Sequence, residues 1–290
     1  MSISKLSDCY ELANGRKIPC IGFGTWQSEN GTEAYNAVMS ALKNGYRHID
    51  TATAYGNEDS VGSAISDFLK ESGLKREEIF LTTKLWNKDH GYENTKKAID
   101  ASLKSLKVDY LDLYLIHWPN PLAFRDCWKE TNAESWRAME EACDEGKIRS
   151  IGLSNFWEHH IDELLKTARI KPVVNQLKIC PGITQKSLCD YSKSLGMLIE
   201  GYSPMGTGAI FSNEFMRSLA QKYGRSIAQI CIRWSFQTGC VPLPKSVTEE
   251  RIIENSKIFD FEIDPADCEK IANLQDTGIR PNRNPDEAEF

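Results

Sequence analysis

Asp50, Tyr55, Lys84 and His117 are the residues of this 290-residue chain whose types, taken together, make a proton-transfer device. A phenol ordinarily ionises near pH 10, and an ammonium beside it favours the phenolate, so a Tyr next to a Lys becomes a usable acid at neutral pH. Asp50 would keep the Lys84 ammonium charged and oriented. His117, hydrogen-bonding at the same oxygen, would position or polarise a carbonyl group. Each residue alone means little: a Lys at a strand end is ordinarily a solvated rim charge, a single His is ordinarily a satisfied structural residue, and Asp-x-x-x-x-Tyr recurs by chance. What raises the set above coincidence is where its members stand.

They stand at or just beyond the ends of short apolar runs. Eight such runs, Ile21–Gly24, Tyr46–Asp50, Ile79–Lys84, Leu111–Trp118, Ile148–Asn155, Val173–Gln176, Met197–Ser203 and Cys240–Lys245, have the length and composition of buried strands. Between them, apolar residues three, four or seven apart, as in Val61/Ile65/Phe68/Leu69 and Ile227/Ile230/Cys231/Trp234, make the stripe of a helix packed on one side. Glycines such as Gly73 and Gly224 follow these patterns, where a left-handed residue ends a helix. Strand and helix alternating eight times predict an α/β chain folded as a (β/α)8 TIM barrel, one domain over residues 1–290, with an open doubly wound sheet as the alternative. Against the open sheet, Gly22-Phe23-Gly24-Thr25-Trp26-Gln27 stops at two glycines, and no stretch has the composition of an interdomain linker. Asn14-Gly15, between Tyr10–Leu12 and Lys17–Cys20, predicts a hairpin with a two-residue turn over residues 10–20, ahead of the barrel. Residues 275–290, rich in Pro, Asn and charge, read as a surface tail or rim loop. A parallel barrel carries its site at the C-terminal ends of the strands, which lie about 5 Å apart, so the four residues can meet at one pole.

Composition removes several function classes. A formal charge of −6, from 35 basic and 41 acidic residues, argues against a general nucleic-acid binder. No run of 18 apolar residues occurs and the start is not leader-like, which predicts a chain that neither spans a membrane nor is secreted by that route. Nine scattered cysteines with no C-x-x-C pair read as reduced thiols in a cytoplasmic protein. Of five histidines only His159-His160 form a close pair, and no metal-ligand spacing is seen, so no metal is expected. A monomer is expected, with a weak dimer as the alternative.

Longer motifs carry a resemblance. Gly22-Phe23-Gly24-Thr25-Trp26, Asp50-Thr51-Ala52-Thr53-Ala54-Tyr55-Gly56-Asn57-Glu58, Thr83-Lys84-Leu85-Trp86 and His117-Trp118-Pro119 are followed by Ile151-Gly152-Leu153-Ser154-Asn155-Phe156, Val174-Asn175-Gln176, Gly201-Tyr202-Ser203-Pro204-Met205-Gly206 and Pro244-Lys245-Ser246-Val247-Thr248. In this order they resemble the aldo-keto reductase family over essentially the whole chain, and in particular its short-loop aldehyde reductase and 2,5-diketo-D-gluconate reductase members. The resemblance puts the family's catalytic tetrad on Asp50, Tyr55, Lys84 and His117. It implies NADPH-dependent reduction of an aldehyde or ketone, with hydride from nicotinamide C4 and a proton from Tyr55; NADH would bind with lower affinity. Extra helices are implied before the seventh barrel helix and at the C-terminus. Gly24, Thr25, Trp26, Asp50, Ser203 and Met205 would line the cofactor; Ser154, Asn155 and Gln176 would hold its carboxamide, and Tyr202 would stack on the nicotinamide. Without the resemblance, Ser-Asn after a strand would read as a helix N-cap.

Lys245 and Arg251 are local cations in an acidic chain. With Ser246 and Thr248 as N-caps and the amides of a helix start, they would form an anion site, which the resemblance assigns to the 2′-phosphate, with Glu254 and Asn255 at the adenine. Trp26, Trp86 and Trp118, each beside a strand end, predict an aromatic-walled substrate pocket that also contains His117. The loop Pro119–Ala133 is shorter than in the steroid-binding members of the family the chain resembles and the tail is modest, so the resemblance implies an open pocket for small aldehydes, α-dicarbonyls or diketo-sugar acids rather than steroids. After Gln176 the family usually has Glu and His where this chain has Lys178 and Cys180, which touches the rim and substrate preference rather than the tetrad. Two other readings use the same fold: a nicotinamide-binding redox sensor or partner subunit, against which the intact tetrad argues, and a phosphate-ester isomerase, for which Met205-Gly206-Thr207-Gly208 is a faint match to a phosphate loop.

Overall fold

The structure, a computed structural model, describes residues 3–290. An antiparallel hairpin, β1 (Cys9–Glu11) and β2 (Lys17–Pro19), comes first. Its turn is longer than Asn-Gly alone would make it. Leu12 N–H still donates to Arg16 O, so residues 13–15 form the loop, with Gly15 left-handed at φ 78°, the geometry of a three-residue connection.

Eight parallel strands follow: β3 (Phe23–Gly24), β4 (His48–Asp50), β5 (Phe80–Leu85), β6 (Leu113–Ile116), β7 (Ile151–Ser154), β8 (Val174–Lys178), β9 (Leu198–Tyr202) and β10 (Cys240–Leu243). Each falls inside or within two residues of an apolar run named above. They pair in sequence order, and Gly22 N–H to Pro242 O (3.0 Å) and Gly24 N–H to Pro244 O (2.9 Å) join the first strand to the last. The result is a (β/α)8 barrel. Gly24 lies at the seam between the first strand and the last, where a Cβ would come into van der Waals contact with Leu243 O at 3.4 Å.

The outer layer is α1 (Thr32–Lys43), α2 (Glu58–Ser72), α3 (Tyr92–Leu106), α4 (Trp128–Asp144), α5 (Glu158–Leu165), α6 (Lys186–Ser194), α8 (Ile227–Gln237) and α9 (Glu249–Ser256). Two helices lie outside the repeat: α7 (Glu214–Tyr223), before the seventh barrel helix, and α10 (Pro265–Ala272). The stripe Val61/Ile65/Phe68 of α2 is buried, as is Ile230/Cys231/Trp234 of α8, which also starts with a full capping box, Ser226 with Gln229. No helix among the described residues is long and apolar enough to cross a membrane.

Candidate active site

The register pairs Asp50 of β4 with Thr82 of β5, so Lys84, two residues on, points to the same side. Lys84 is fully buried, and an ammonium there must be matched. Its Nζ donates to Asp50 Oδ1 and Oδ2 at 2.8 and 2.9 Å, to Thr51 O at 2.8 Å and to the Tyr55 hydroxyl at 3.4 Å. Tyr55 ends a single 3-10 turn, Thr53–Tyr55, stopped by left-handed Gly56 at φ 66°. His117, one residue past β6, sets its ring edge-on to Tyr55 at 5.8 Å and to Trp86 at 5.2 Å. The structure therefore brings all four predicted residues together.

The electrostatics differ from the sequence reading at one point. Burial raises the Tyr55 phenol above its ordinary value, and Lys84 offsets this only in part because Asp50 opposes it. Tyr55 therefore holds its proton at neutral pH. Burial, with Lys84 and His90 nearby, holds His117 well below the usual histidine range, so its ring is neutral. Its Nδ1 is buried and has no partner among the described residues. Burial works against the charge of Lys84, but Asp50, Tyr55 and Glu200 outweigh it and its pKa rises. The arrangement can hand over one proton at Tyr55 with a fixed cation behind it, beside a neutral imidazole.

The second group of predicted residues lines the same pole. Ser154 closes β7; Asn155 is left-handed at φ 61°, accepts from the Tyr202 hydroxyl at 2.9 Å and donates to His117 O at 3.0 Å. Asn155 is thus not the N-cap of α5, a position held by Trp157. Gln176 Nε2 donates to Asp50 Oδ2 and Glu200 Oε2, both at 2.8 Å. Thr25 is buried with its hydroxyl on Asp50 O, whereas Trp26 is exposed. Ser203 is also left-handed, at φ 52°, and Met205 is half-buried. Across the seam Lys245 Nζ donates to Gln27 O at 3.0 Å, tying the last βα loop to the first. Thr248 is the N-cap residue of α9 but makes no side-chain cap; instead Ser246 Oγ accepts from Thr248 N–H at 3.1 Å, because the turn before the helix brings those two atoms together. Arg251 is exposed and makes no ion pair among the described residues. Asn255 is buried and its Oδ1 has no partner among the described residues, and Glu254 lines an open cleft of about 620 Å³ with Arg217 and Arg225.

Compared with known families, residues 20–276 match the one described as "Aldo/keto reductase family". The chain belongs to that family. This aldo/keto reductase is 49% identical over 288 residues to the "Glyoxal reductase" of Bacillus subtilis, covering 99% of each chain. It is 42% identical to the "Methylglyoxal reductase DkgA" of Escherichia coli, covering 96% of each. Among solved structures it is similar to a Bombyx mori aldo-keto reductase in complex with NADP, with a TM-score of 0.84, 33% identity and 93% of each chain covered.

The tail of this aldo/keto reductase does more than edge the barrel. Phe290 stacks on Trp86 at 5.8 Å and sets edge-on to Trp118 at 5.1 Å, and its main-chain oxygen accepts from Asn87 Nδ2 and Leu122 N–H. These rings would wall the predicted pocket on that side. Asp286 holds the tail: it accepts from His160 Nε2 at 2.8 Å and from Asn120 Nδ2 at 3.0 Å, with His159 Nε2 at 3.2 Å. No metal-ligand spacing links Asp286 to the two histidines in sequence, yet the fold gathers all three. His160 Nδ1 accepts from Trp157 N–H, which leaves the ring proton on Nε2 facing Asp286, so the group is a hydrogen-bonded latch. Lys178 reaches Arg280 O at 2.7 Å, so the residue that departs from the family pattern also anchors the tail.

Sequence reasoning missed Glu200 and His48, both fully buried inside the barrel. The available signal was a lone ionisable residue in an apolar strand, as in Leu198-Ile199-Glu200-Gly201, since such a residue is kept only where it has a polar partner.

Proposed function

We propose that this chain is an NADPH-dependent reductase of aldehydes and ketones in which Tyr55 is the general acid. The observation that carries the reading is the buried Lys84 ammonium, held by Asp50 and Thr51 O and touching the Tyr55 hydroxyl. When bound, the nicotinamide supplies a hydride to the carbonyl carbon. Tyr55 gives its proton to the carbonyl oxygen as negative charge develops there, and Lys84 stabilises the phenolate that remains. Neutral His117 donates a hydrogen bond to the same oxygen and orients it. Trp86, Trp118 and Phe290 exclude water from one side of the pocket, with Trp26 at its exposed edge.

The residues fit such a cofactor. Gln176 spends both amide hydrogens on carboxyl groups, which leaves its Oε1 to accept from a carboxamide. Ser154 and Asn155 offer further polar atoms, Tyr202 a ring face, and buried Asn255 Oδ1 an unused acceptor for an adenine amine. Gly24, Thr25, Ser203 and Met205 complete the lining, with Glu254 beside Asn255. The relatives' names, glyoxal and methylglyoxal reductase, support small α-dicarbonyls as substrates. The purified protein should consume NADPH only when a carbonyl compound is added. No turnover across aliphatic, aromatic, dicarbonyl and sugar aldehydes would overturn the reading.

Preference for NADPH rests on Arg251, which makes no ion pair among the described residues, together with Lys245, Ser246 and Thr248. A guanidinium–phosphate pair is charge-assisted and worth roughly 1.5–3 kcal/mol, or about ten- to a hundredfold in affinity. Arg251→Ala should raise the Kd for NADPH by that factor, leave NADH nearly unchanged and flatten the salt dependence of NADPH binding. Equal losses for both cofactors would show that the 2′-phosphate is held elsewhere.

A further inference from the structure

The barrel interior holds one ionisable cluster that the chemistry above does not use. Glu200, in the middle of β9, is fully buried. Its Oε2 accepts from the same Gln176 nitrogen that donates to Asp50, so one amide joins two carboxyl groups. Its Oε1 lies 3.5 Å from His48 Nε2, which is 3.0 Å from Thr82 Oγ1. Neither Glu200 Oε1 nor His48 Nδ1 has a hydrogen-bond partner among the described residues.

The ionisable groups facing Glu200 are Asp50 and His48 from β4 and Lys84 from β5; β8 presents Gln176, and the register neighbour on β10 is Val241. Lys84 is committed to Asp50, with both carboxylate oxygens on its Nζ. Two ionised carboxylates here would share a single ammonium and leave an unmatched negative charge away from water, which is a costly burial. A proton on Glu200 Oε1, the oxygen without a partner, removes that charge and leaves Oε2 free to accept from Gln176.

We propose that Glu200 is a positioning residue held as the neutral acid, so that Gln176 and Lys84 meet one ionised carboxylate, Asp50, and Lys84 keeps its full effect on the Tyr55 phenol. Burial and the charge of Asp50 push Glu200 up to about 8, while burial and Lys84 push His48 down to about 3, so His48 supplies no counter-charge. As pH rises through about 8, Glu200 ionises, a second negative charge competes for Lys84, and the phenolate loses support. Tyr55 becomes a weaker acid and reduction slows.

The kinetic half of this inference rests on Tyr55 being the acid; the protonation of Glu200 does not, and the test separates the two. Infrared spectra of the resting wild type should contain the band of a buried carboxylic acid below pH 8, shifted in D2O, that fades as pH passes that value. Glu200→Gln should lack the band. In turnover, the wild-type kcat should fall in an alkaline step that Glu200→Gln does not show, leaving the variant about tenfold faster than wild type at the alkaline limit. A wild type without the band, or a variant that keeps it, overturns the proposal whatever the activity. A correct band with superimposable pH–rate profiles overturns the link to Tyr55.

Discussion

Tyr55→Phe should lower kcat for carbonyl reduction by about 10²–10⁴-fold, the range for removing a positioned general acid, while the Kd for NADPH stays within about twofold of wild type. The substitution deletes one oxygen and keeps the ring that packs edge-on against His117. It leaves Lys84 with three of its four contacts, two to Asp50 and one to Thr51 O, so the buried ammonium remains matched and the fold should hold. Apart from Asp50, which keeps both of its contacts to Lys84, the cofactor-lining residues named above lie on other strands and loops, which is why binding is spared. Stopped-flow transients for hydride transfer and a fluorescence titration of NADPH check the two halves separately. A Tyr55→Phe enzyme that keeps most of its kcat would show that the proton comes from another group.

Lys84→Met should remove activity as completely, and for two reasons that a third variant separates. Deleting the ammonium takes away the only cation touching the Tyr55 hydroxyl among the described residues, so the phenolate formed in the reaction is no longer stabilised. It also strands the buried Asp50 carboxylate, and breaking a buried pair by removing one partner costs about 3–5 kcal/mol. Urea unfolding should therefore move to markedly lower denaturant in Lys84→Met. Adding Asp50→Asn, which removes the stranded charge, should restore a large part of the lost stability without restoring turnover. A folded Lys84→Met with near-normal kcat would refute the proposed role of the cation, and a double variant that regains activity would mean the single variant failed only by misfolding.

Much of this protein was legible in its sequence because the relevant information is local. Strand runs such as Leu113–Ile116 and helix stripes such as Val61/Ile65/Phe68 announce their own periods, and eight alternations leave little room for any architecture but the barrel. Once the strands are placed, so are the side chains at their ends, which is why the sequence alone points to Asp50, Tyr55, Lys84 and His117. The hairpin loop has three residues rather than the two that Asn14-Gly15 predicts, because Asn-Gly suits both a two-residue turn and, with Gly15 left-handed, a three-residue one.

What the sequence by itself determined is the order of elements and the identity of the residues at the barrel's mouth, since strand and helix periods are properties of neighbours along the chain. What only the tertiary structure decided is which distant groups share an environment without water. Phe290 reaches Trp86 and Trp118 because Asp286 is latched by His160 and Lys178 holds Arg280, contacts that no local pattern encodes. The net upward shift of Tyr55 and the joining of Asp50 to Glu200 through Gln176 depend on burial, and burial is set by everything packed around a residue rather than by its neighbours in sequence.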